Sequence, residues 1–63
     1  MAEYQLYGFD ATGRPKHAEV LRGLTRHELK IVAQDRLGDW QGVEVWQGPM
    51  CILRLRRSAA AAG

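Results

Sequence analysis

Two histidines and a single cysteine are the first candidates for chemistry in this sequence. His17 and His27 are ten residues apart, and no cysteine or second ligand lies at metal-binding spacing near either of them. Cys51 would need a neighbouring base and access to solvent to act as a nucleophile, but the alternation around it predicts an inward side chain. We therefore expect no metal ion, no cofactor and no catalytic activity.

Three arginines near the end of the chain are the candidates for contact with an anion. Arg54, Arg56 and Arg57 fall within four residues, where they could neutralise the phosphates of a nucleic acid. The formal charge of the whole chain is only +2, which does not indicate nucleic-acid binding by itself. Cross-strand pairing of Arg54 with Glu44 is an alternative that needs no ligand.

Length and composition place limits on the class of protein. A chain of 63 residues forms one domain near the lower limit of independent folding, where oligomerisation often adds stability. One cysteine cannot form an intramolecular disulfide and fits a reducing compartment. The start, MAEYQLYGFD, lacks the features of a signal peptide, and no run of about 18 apolar residues is present. We expect a cytoplasmic protein without membrane association.

The N-terminal segment has the pattern of a β-hairpin. EYQLYGFD leads into a turn that Asp10 opens and Gly13 closes, a type I turn followed by a bulge. Asp10 then lies opposite Arg14. The strand pairs that follow from this turn are Leu6 with Ala18, Tyr4 with Val20, and Tyr7 with His17.

The segment LTRHEL predicts the start of a helix. Thr25 is the N-cap, Glu28 completes a capping box three residues later, and Leu24 is positioned to pack on Leu29. Apolar residues continue at helical spacing. Gly38 is placed to end the helix in a left-handed conformation.

A second hairpin follows the helix and completes the fold. Val43 and Val45 alternate with polar or aromatic residues, and the alternation resumes at Cys51 after the Gly48-Pro49 turn. An odd loop length is required to place all of these on one face. The sequence predicts an α+β, two-layer ββαββ fold, a four-stranded sheet with one helix on one face. We expect one domain over residues 1–57 and a frayed Ala-rich tail over residues 58–63.

These registers divide the residues between a core and an uncovered face of the sheet. The predicted core is Tyr4, Leu6, Ala18, Val20, Leu29, Val32, Ala33, Leu37, Val43, Val45, Cys51, Leu53 and Leu55. The predicted uncovered face contains the candidate interaction residues Tyr7, Phe9, His17, Leu21, Trp46, Met50 and Ile52, together with Glu19, Glu44, Arg54 and Arg56.

The apolar content of this predicted face points to an interaction site. Aromatic and Met residues are enriched at the centres of protein interfaces, so the first interpretation is a non-catalytic module that forms a homodimer or binds another protein. In the second, Tyr7, Phe9 and Trp46 stack on the bases of single-stranded RNA while the arginines contact phosphates. A third is a phage-type inhibitor that binds a defence complex, suggested by size and fold class.

The motifs YxLYxxDxxGR and VEVWQG resemble a set of short uncharacterised bacterial proteins. In that set, a Tyr-rich strand, an Asp-x-x-Gly turn, a helix and a Val-Glu-Val-Trp hairpin recur. The resemblance covers most of residues 4–56 and implies the same order of elements. It implies no activity, and it assigns no functional residue. Pro49 and Met50 depart from its pattern by replacing a basic or polar residue.

Overall fold

The computed structural model describes residues 2–57, and in this range the chain forms four strands and one helix. The elements are β1 (Glu3–Phe9), β2 (Pro15–Arg22), α1 (Arg26–Arg36), β3 (Gly42–Gln47) and β4 (Met50–Arg56). All strand pairings are antiparallel, the strand order is β2-β1-β3-β4, and α1 packs on β3 and β4. The predicted ββαββ fold is confirmed. The tail predicted for residues 58–63 lies outside the described residues.

The turn between β1 and β2 forms as predicted. The Asp10 N–H donates to the carbonyl oxygen of Arg14 at 3.0 Å, and Gly13 adopts a φ of 83°. Asp10 Oδ1 accepts hydrogen bonds from the Thr12 hydroxyl at 2.6 Å, the Thr12 N–H at 2.9 Å and the Arg14 N–H at 3.0 Å. These bonds, with that of the Thr12 hydroxyl largest, lower the pKa of Asp10.

The predicted capping box closes the start of α1. Thr25 Oγ1 accepts from the Glu28 N–H at 3.1 Å, and Glu28 Oε1 accepts from the Thr25 N–H at 2.8 Å. The bond from the Thr25 N–H is the largest of the effects that lower the pKa of Glu28. Local sequence alone therefore determines where this helix begins.

The end of α1 differs from the prediction, because Gly38 is not left-handed. Leu37 caps the helix with a right-handed φ of −64°, and the Gly38 N–H donates to the carbonyl oxygen of Asp35 at 3.1 Å. Arg57 Nη2 donates to the carbonyl oxygens of Leu37 at 2.6 Å and Gly38 at 2.7 Å. The Arg57 side chain thus donates hydrogen bonds to carbonyl oxygens at the end of the helix, so a left-handed glycine is not needed to satisfy them.

A β-bulge in β2 makes the predicted β1–β2 register wrong. Phe9 pairs with Pro15 as the turn requires, but Gly8 pairs with His17, which leaves Lys16 as an extra residue. Every pair after the bulge is shifted by one residue relative to the prediction, so the β2 side chains from His17 onward lie on the face opposite to the predicted one. His17, Glu19 and Leu21 therefore lie on the helix side. Ala18 and Val20, predicted to be core residues, lie exposed on the opposite side.

A second bulge, in β4, makes the predicted odd loop wrong. Gln47 pairs with Met50 across a two-residue turn, and Trp46 pairs with Cys51. Because Val45 pairs with Leu53, Ile52 is the extra residue that returns Leu53 and Leu55 to the helix side. Cys51 therefore shares the face of Trp46 and is not a core residue, and Ile52 packs against the core.

The core lies between α1 and one side of the sheet. Its buried residues are Tyr4, Leu6, Leu29, Ala33, Val43 and Val45. Partly buried residues packed around them are Leu21, Leu24, Val32, Leu37, Trp40, Ile52, Leu53 and Leu55. Ten of the thirteen predicted core residues are in these two groups, and the three exceptions follow from the two bulges.

Trp40 covers the part of the sheet beyond the end of α1. A Cβ atom on Gly8 would lie 2.7 Å from Cγ and Cδ1 of the Trp40 ring, so the ring rests directly on the β1 backbone. The His17 ring stacks on Trp40 with a centroid distance of 5.5 Å and an interplanar angle of 15°. The absence of a side chain at Gly8 is what permits this packing.

We expect Gly8→Ala to destabilise the protein by about 1–3 kcal/mol, because the added methyl group forces the Trp40 ring off β1. Gly42→Ala is the matched control, since a Cβ atom there would meet its nearest neighbour, the Leu55 carbonyl oxygen, at 3.5 Å. Urea unfolding followed by far-UV circular dichroism would measure both. Equal stability of the two variants would contradict this packing.

The lowered pKa values of Asp10 and Glu28 predict a loss of stability in acid. A carboxyl group with a lowered folded-state pKa stabilises the fold above its unfolded pKa, and this contribution disappears as the pH falls through the folded value. We expect the melting temperature to decrease below about pH 4. The decrease should be shallower in an Asp10→Asn/Glu28→Gln variant.

Asp39→Asn is the control for this titration, because no hydrogen bond to the Asp39 side chain occurs within residues 2–57. This variant should keep the wild-type dependence on pH. If the Asp10→Asn/Glu28→Gln variant also keeps the wild-type decrease of melting temperature in acid, these two carboxyl groups are not its cause.

Candidate interaction surface

The side of the sheet opposite α1, called the open face below, is built from alternate residues of all four strands. Its members are Glu3, Gln5, Tyr7, Phe9, Pro15, Ala18, Val20, Arg22, Gly42, Glu44, Trp46, Cys51, Arg54 and Arg56. The helix, which is the other regular element within residues 2–57, packs on the reverse side. No helix of the described range therefore covers the open face.

Three aromatic side chains occupy the centre of the open face. Tyr7 and Phe9 project from β1 and Trp46 from β3, the two inner strands of the sheet. With Pro15 and Glu44 they line a shallow, mainly apolar depression of about 400 Å³. Val20 on the neighbouring edge strand extends the apolar area and is 55% exposed. The aromatic rings thus lie on the two strands that are hydrogen-bonded to a neighbouring strand on both sides.

Glu44 holds the polar end of Trp46 in place. The indole Nε1–H donates to Glu44 Oε1 at 2.9 Å, and Arg54 Nε lies 3.3 Å from Glu44 Oε2. At the opposite corner, Arg22 Nε donates to Glu3 Oε2 at 2.9 Å. Both carboxylates of the open face therefore have cationic partners on the face itself, which leaves its centre without unbalanced negative charge.

The predicted interaction residues do not all reach this surface. Tyr7, Phe9 and Trp46 lie on the open face as predicted. The placement of four others on it is wrong. His17 and Leu21 lie on the helix side because of the β2 bulge, and Ile52 packs on the core. Met50 is 63% exposed at the hairpin tip opposite Gln47. Alternation along β3 gives Gln47 the side of Val45, so Met50 does not extend the aromatic group.

Sequence reasoning did not assign four residues that add apolar or thiol side chains to the open face: Pro15, Ala18, Val20 and Cys51. The two bulges place Ala18, Val20 and Cys51 there, whereas Pro15 pairs with Phe9 as the turn requires. Pro15 carried a usable signal, because proline has no N–H for the ladder and is found at edges and bulges. Nothing in the alternating segment CILRLR marks Ile52 as the extra residue. The β4 bulge could therefore not have been located from local sequence.

His17 and Glu19 form a polar network on the helix side. His17 Nε2 lies 3.1 Å from Glu19 Oε2, and Arg36 Nε donates to Glu19 Oε1 at 2.9 Å. Arg36 also pairs with Asp35 at 2.7 Å. This network, with the Trp40 stack, covers the sheet where α1 does not reach, so these residues have a packing role.

The three candidate arginines flank a second cavity at one end of the sheet. Arg54, Arg56 and Arg57 line a cleft of about 650 Å³ that the Asp10–Gly13 turn closes at one end. Arg54 pairs with Glu44, and Arg57 binds the carbonyl groups at the end of α1. The three arginines thus line one cleft, and their contact with phosphate stays a prediction.

Within residues 2–57, no three His, Cys, Asp or Glu side chains are grouped so that they could hold a metal ion. In the same range, α1 is too short and too polar to cross a lipid bilayer. Comparison of the chain with protein-family models, curated proteins and solved structures finds no match. The resemblance to short bacterial proteins therefore stays a prediction.

We expect Glu44→Ala to release Trp46, because the indole N–H loses its acceptor. In a proton–nitrogen NMR spectrum, the indole resonance of Trp46 should shift and exchange faster with solvent, while that of Trp40 should not move. Glu3→Ala is the control, since it breaks the other ion pair of the open face. An unchanged Trp46 resonance in Glu44→Ala would show that this hydrogen bond does not form in solution.

Proposed function

We propose that this protein is a non-catalytic interaction module that self-associates through its open face. The observation that carries the proposal is the aromatic depression of Tyr7, Phe9 and Trp46 on a sheet face that no other element of residues 2–57 covers. Exposed apolar surface of this kind, rimmed by polar residues, is typical of protein interfaces. Pairing of two sheets by their faces would give each copy the second layer that its own helix cannot provide.

The dimensions of the open face suit a small dimer. Four strands about 4.8 Å apart, with about seven residues at about 3.3 Å each, give a footprint of roughly 400 Å². The side chains that cover this footprint have a larger accessible area than the footprint itself. Two such faces would bury on the order of 1,000 Å² in total, close to the lower limit for a specific interface.

The charges at the centre of the open face are compatible with a second copy of the chain as its occupant. Glu44 and Glu3 are paired with Arg54 and Arg22 on the same face, so the aromatic centre carries no net charge that would repel its own copy. A chain of 63 residues folds near the lower size limit of independent domains, so the burial that a dimer adds would stabilise it.

Binding of single-stranded nucleic acid on the aromatic centre has less support. Glu19, predicted on the same face as the aromatic rings, lies on the helix side, so its carboxylate would not repel phosphates there. Glu44 still lines the depression and accepts the Trp46 N–H, which places a carboxylate where a phosphate chain would run. The net charge of +2 adds little attraction for a polyanion.

Light scattering on a size-exclusion column, over a range of loading concentrations, tests the proposal. We expect a mass near twice the 7.1 kDa chain and a monomer for Trp46→Lys, which places a charge in the centre of the interface. Val20→Lys should also weaken the dimer. Since the Val20 side chain is already 55% exposed, this variant should keep its fold.

Ile31→Lys is the matched control, because Ile31 is an exposed apolar residue of α1, 53% accessible and remote from the open face. It should dimerise like the wild type. A mass of 7.1 kDa at every concentration would contradict self-association. Dimerisation that survives both Trp46→Lys and Val20→Lys would show that another surface is used.

A further inference from the structure

The cleft beside the Asp10–Gly13 turn has a gap in the side chains of the open face. The row of paired residues at this end of the sheet is Pro15, Phe9, Gly42 and Arg56. Gly42 has no side chain, so the backbone of β3 is accessible between the Phe9 ring and the Arg56 guanidinium. A Cβ atom there would lie 3.9 Å from Phe9 Cβ and 3.5 Å from the Leu55 carbonyl oxygen. Phe9, Gly42 and Leu55 all line the cleft, so the gap opens into it.

The charged groups of this cleft leave positive charge uncompensated. Its three arginines exceed its two carboxylates, Asp10 and Glu44, by one positive charge. Asp10 accepts hydrogen bonds from the Thr12 hydroxyl and the Arg14 backbone N–H, and Glu44 accepts from Trp46 and pairs with Arg54. Arg56 makes no side-chain hydrogen bond or ion pair within residues 2–57.

Arg57 adds a further cationic group to the cleft. Its Nη2 donates to the carbonyl oxygens at the end of α1, and its other N–H groups make no side-chain hydrogen bond within the same range. These contacts hold the guanidinium at the cleft rim. Guanidinium groups bind phosphate through two parallel hydrogen bonds, so Arg56 and Arg57 have the chemistry to contact a phosphate group.

We propose that the cleft binds the phosphate of a nucleotide, with Arg56 as the main anion contact and Arg57 beside it. Phe9 forms the opposite wall and offers a ring on which a base can stack over the gap at Gly42. The volume of about 650 Å³ lies within the range of small-ligand sites. The cleft shares Phe9 and Glu44 with the aromatic depression, but its arginines lie at the strand ends, beyond Tyr7 and Trp46.

Two sources share this chemistry, a free nucleotide and a single-stranded nucleic acid, and titration with separate probes distinguishes them. Proton–nitrogen NMR spectra would be recorded with uridine 5′-monophosphate, inorganic phosphate, uridine and a hexauridylate. We expect the monophosphate to shift the amide resonances of Gly42, Val43 and Arg56, with weaker shifts from phosphate and the smallest from uridine. Tighter binding of the hexauridylate at the same amides would support the site and identify a strand as the source of the phosphate.

Arg56→Gln is the test variant and should weaken uridine 5′-monophosphate binding by about tenfold or more, the effect of losing a hydrogen bond between charged groups. Arg26→Gln is the matched control, since it removes the same charge from the first turn of α1 on the reverse side of the sheet. It should change the dissociation constant by less than about twofold, because a remote exposed charge is screened.

Phe9→Leu keeps an apolar side chain but removes the ring. It should weaken binding of the monophosphate and leave binding of inorganic phosphate unchanged. Scattered shifts without a maximum at the cleft, or equal losses in Arg56→Gln and Arg26→Gln, would overturn the proposal, because attraction would then come from overall charge alone. A dimer formed by the open face would cover part of the cleft, so each titration is repeated with Trp46→Lys, since Trp46 does not line the cleft. Binding by this variant alone would support the site and show that self-association covers it.

Discussion

One short helix has to cover a four-stranded sheet, and the rest of the structure depends on this mismatch. Eleven residues give a helix about 16 Å long and about 10 Å wide, while four strands span roughly 19 Å. The helix has its closest backbone contacts with β3 and β4, and its buried Leu29 and Ala33 share the core with Tyr4 and Leu6 of β1. Trp40 lies on Gly8 beyond the end of the helix, and His17 stacks on Trp40. The other side of the sheet receives no cover from residues 2–57.

The same mismatch explains why a charged network replaces apolar packing beside β2. Glu19 faces the helix side of an edge strand, where a fully buried carboxylate would be costly. Arg36 in the last turn of α1 and His17 supply its partners, and the side chain of Glu19 remains about one-quarter exposed. Apolar Val20 consequently faces the open side. The distribution of polarity in β2 thus follows from where the helix stops.

The sequence was sufficient for features that neighbouring residues determine and insufficient for those that distant residues determine. The capping box at Thr25 and the turn at Asp10 involve contacts within four residues, and both form as predicted. The element order and ten core positions follow from periodicity. The end of α1 depends on Arg57, twenty residues away, and no local pattern indicates that contact.

The candidate site was predicted in part for the same reason. The aromatic centre lies on β1 and β3, whose pairing contains no irregularity, so alternation placed Tyr7, Phe9 and Trp46 correctly. Both bulges lie in the outer strands, and each moved predicted face residues to the other side. Alternation is reliable until a bulge occurs, and a bulge reflects how a strand fits its neighbour and the layer beneath it.

The location of the two bulges has a consequence for solubility. β2 and β4 are the outer strands, and their free backbone groups could template the addition of strands from other molecules, which is how fibrous aggregates grow. A bulge twists a strand and breaks its regular spacing of N–H and C=O groups. Lys16 is the extra residue of β2, and arginines follow the bulge of β4. Each outer strand therefore combines an irregular backbone with positive charge. Both features oppose the addition of further strands at the two edges of the sheet.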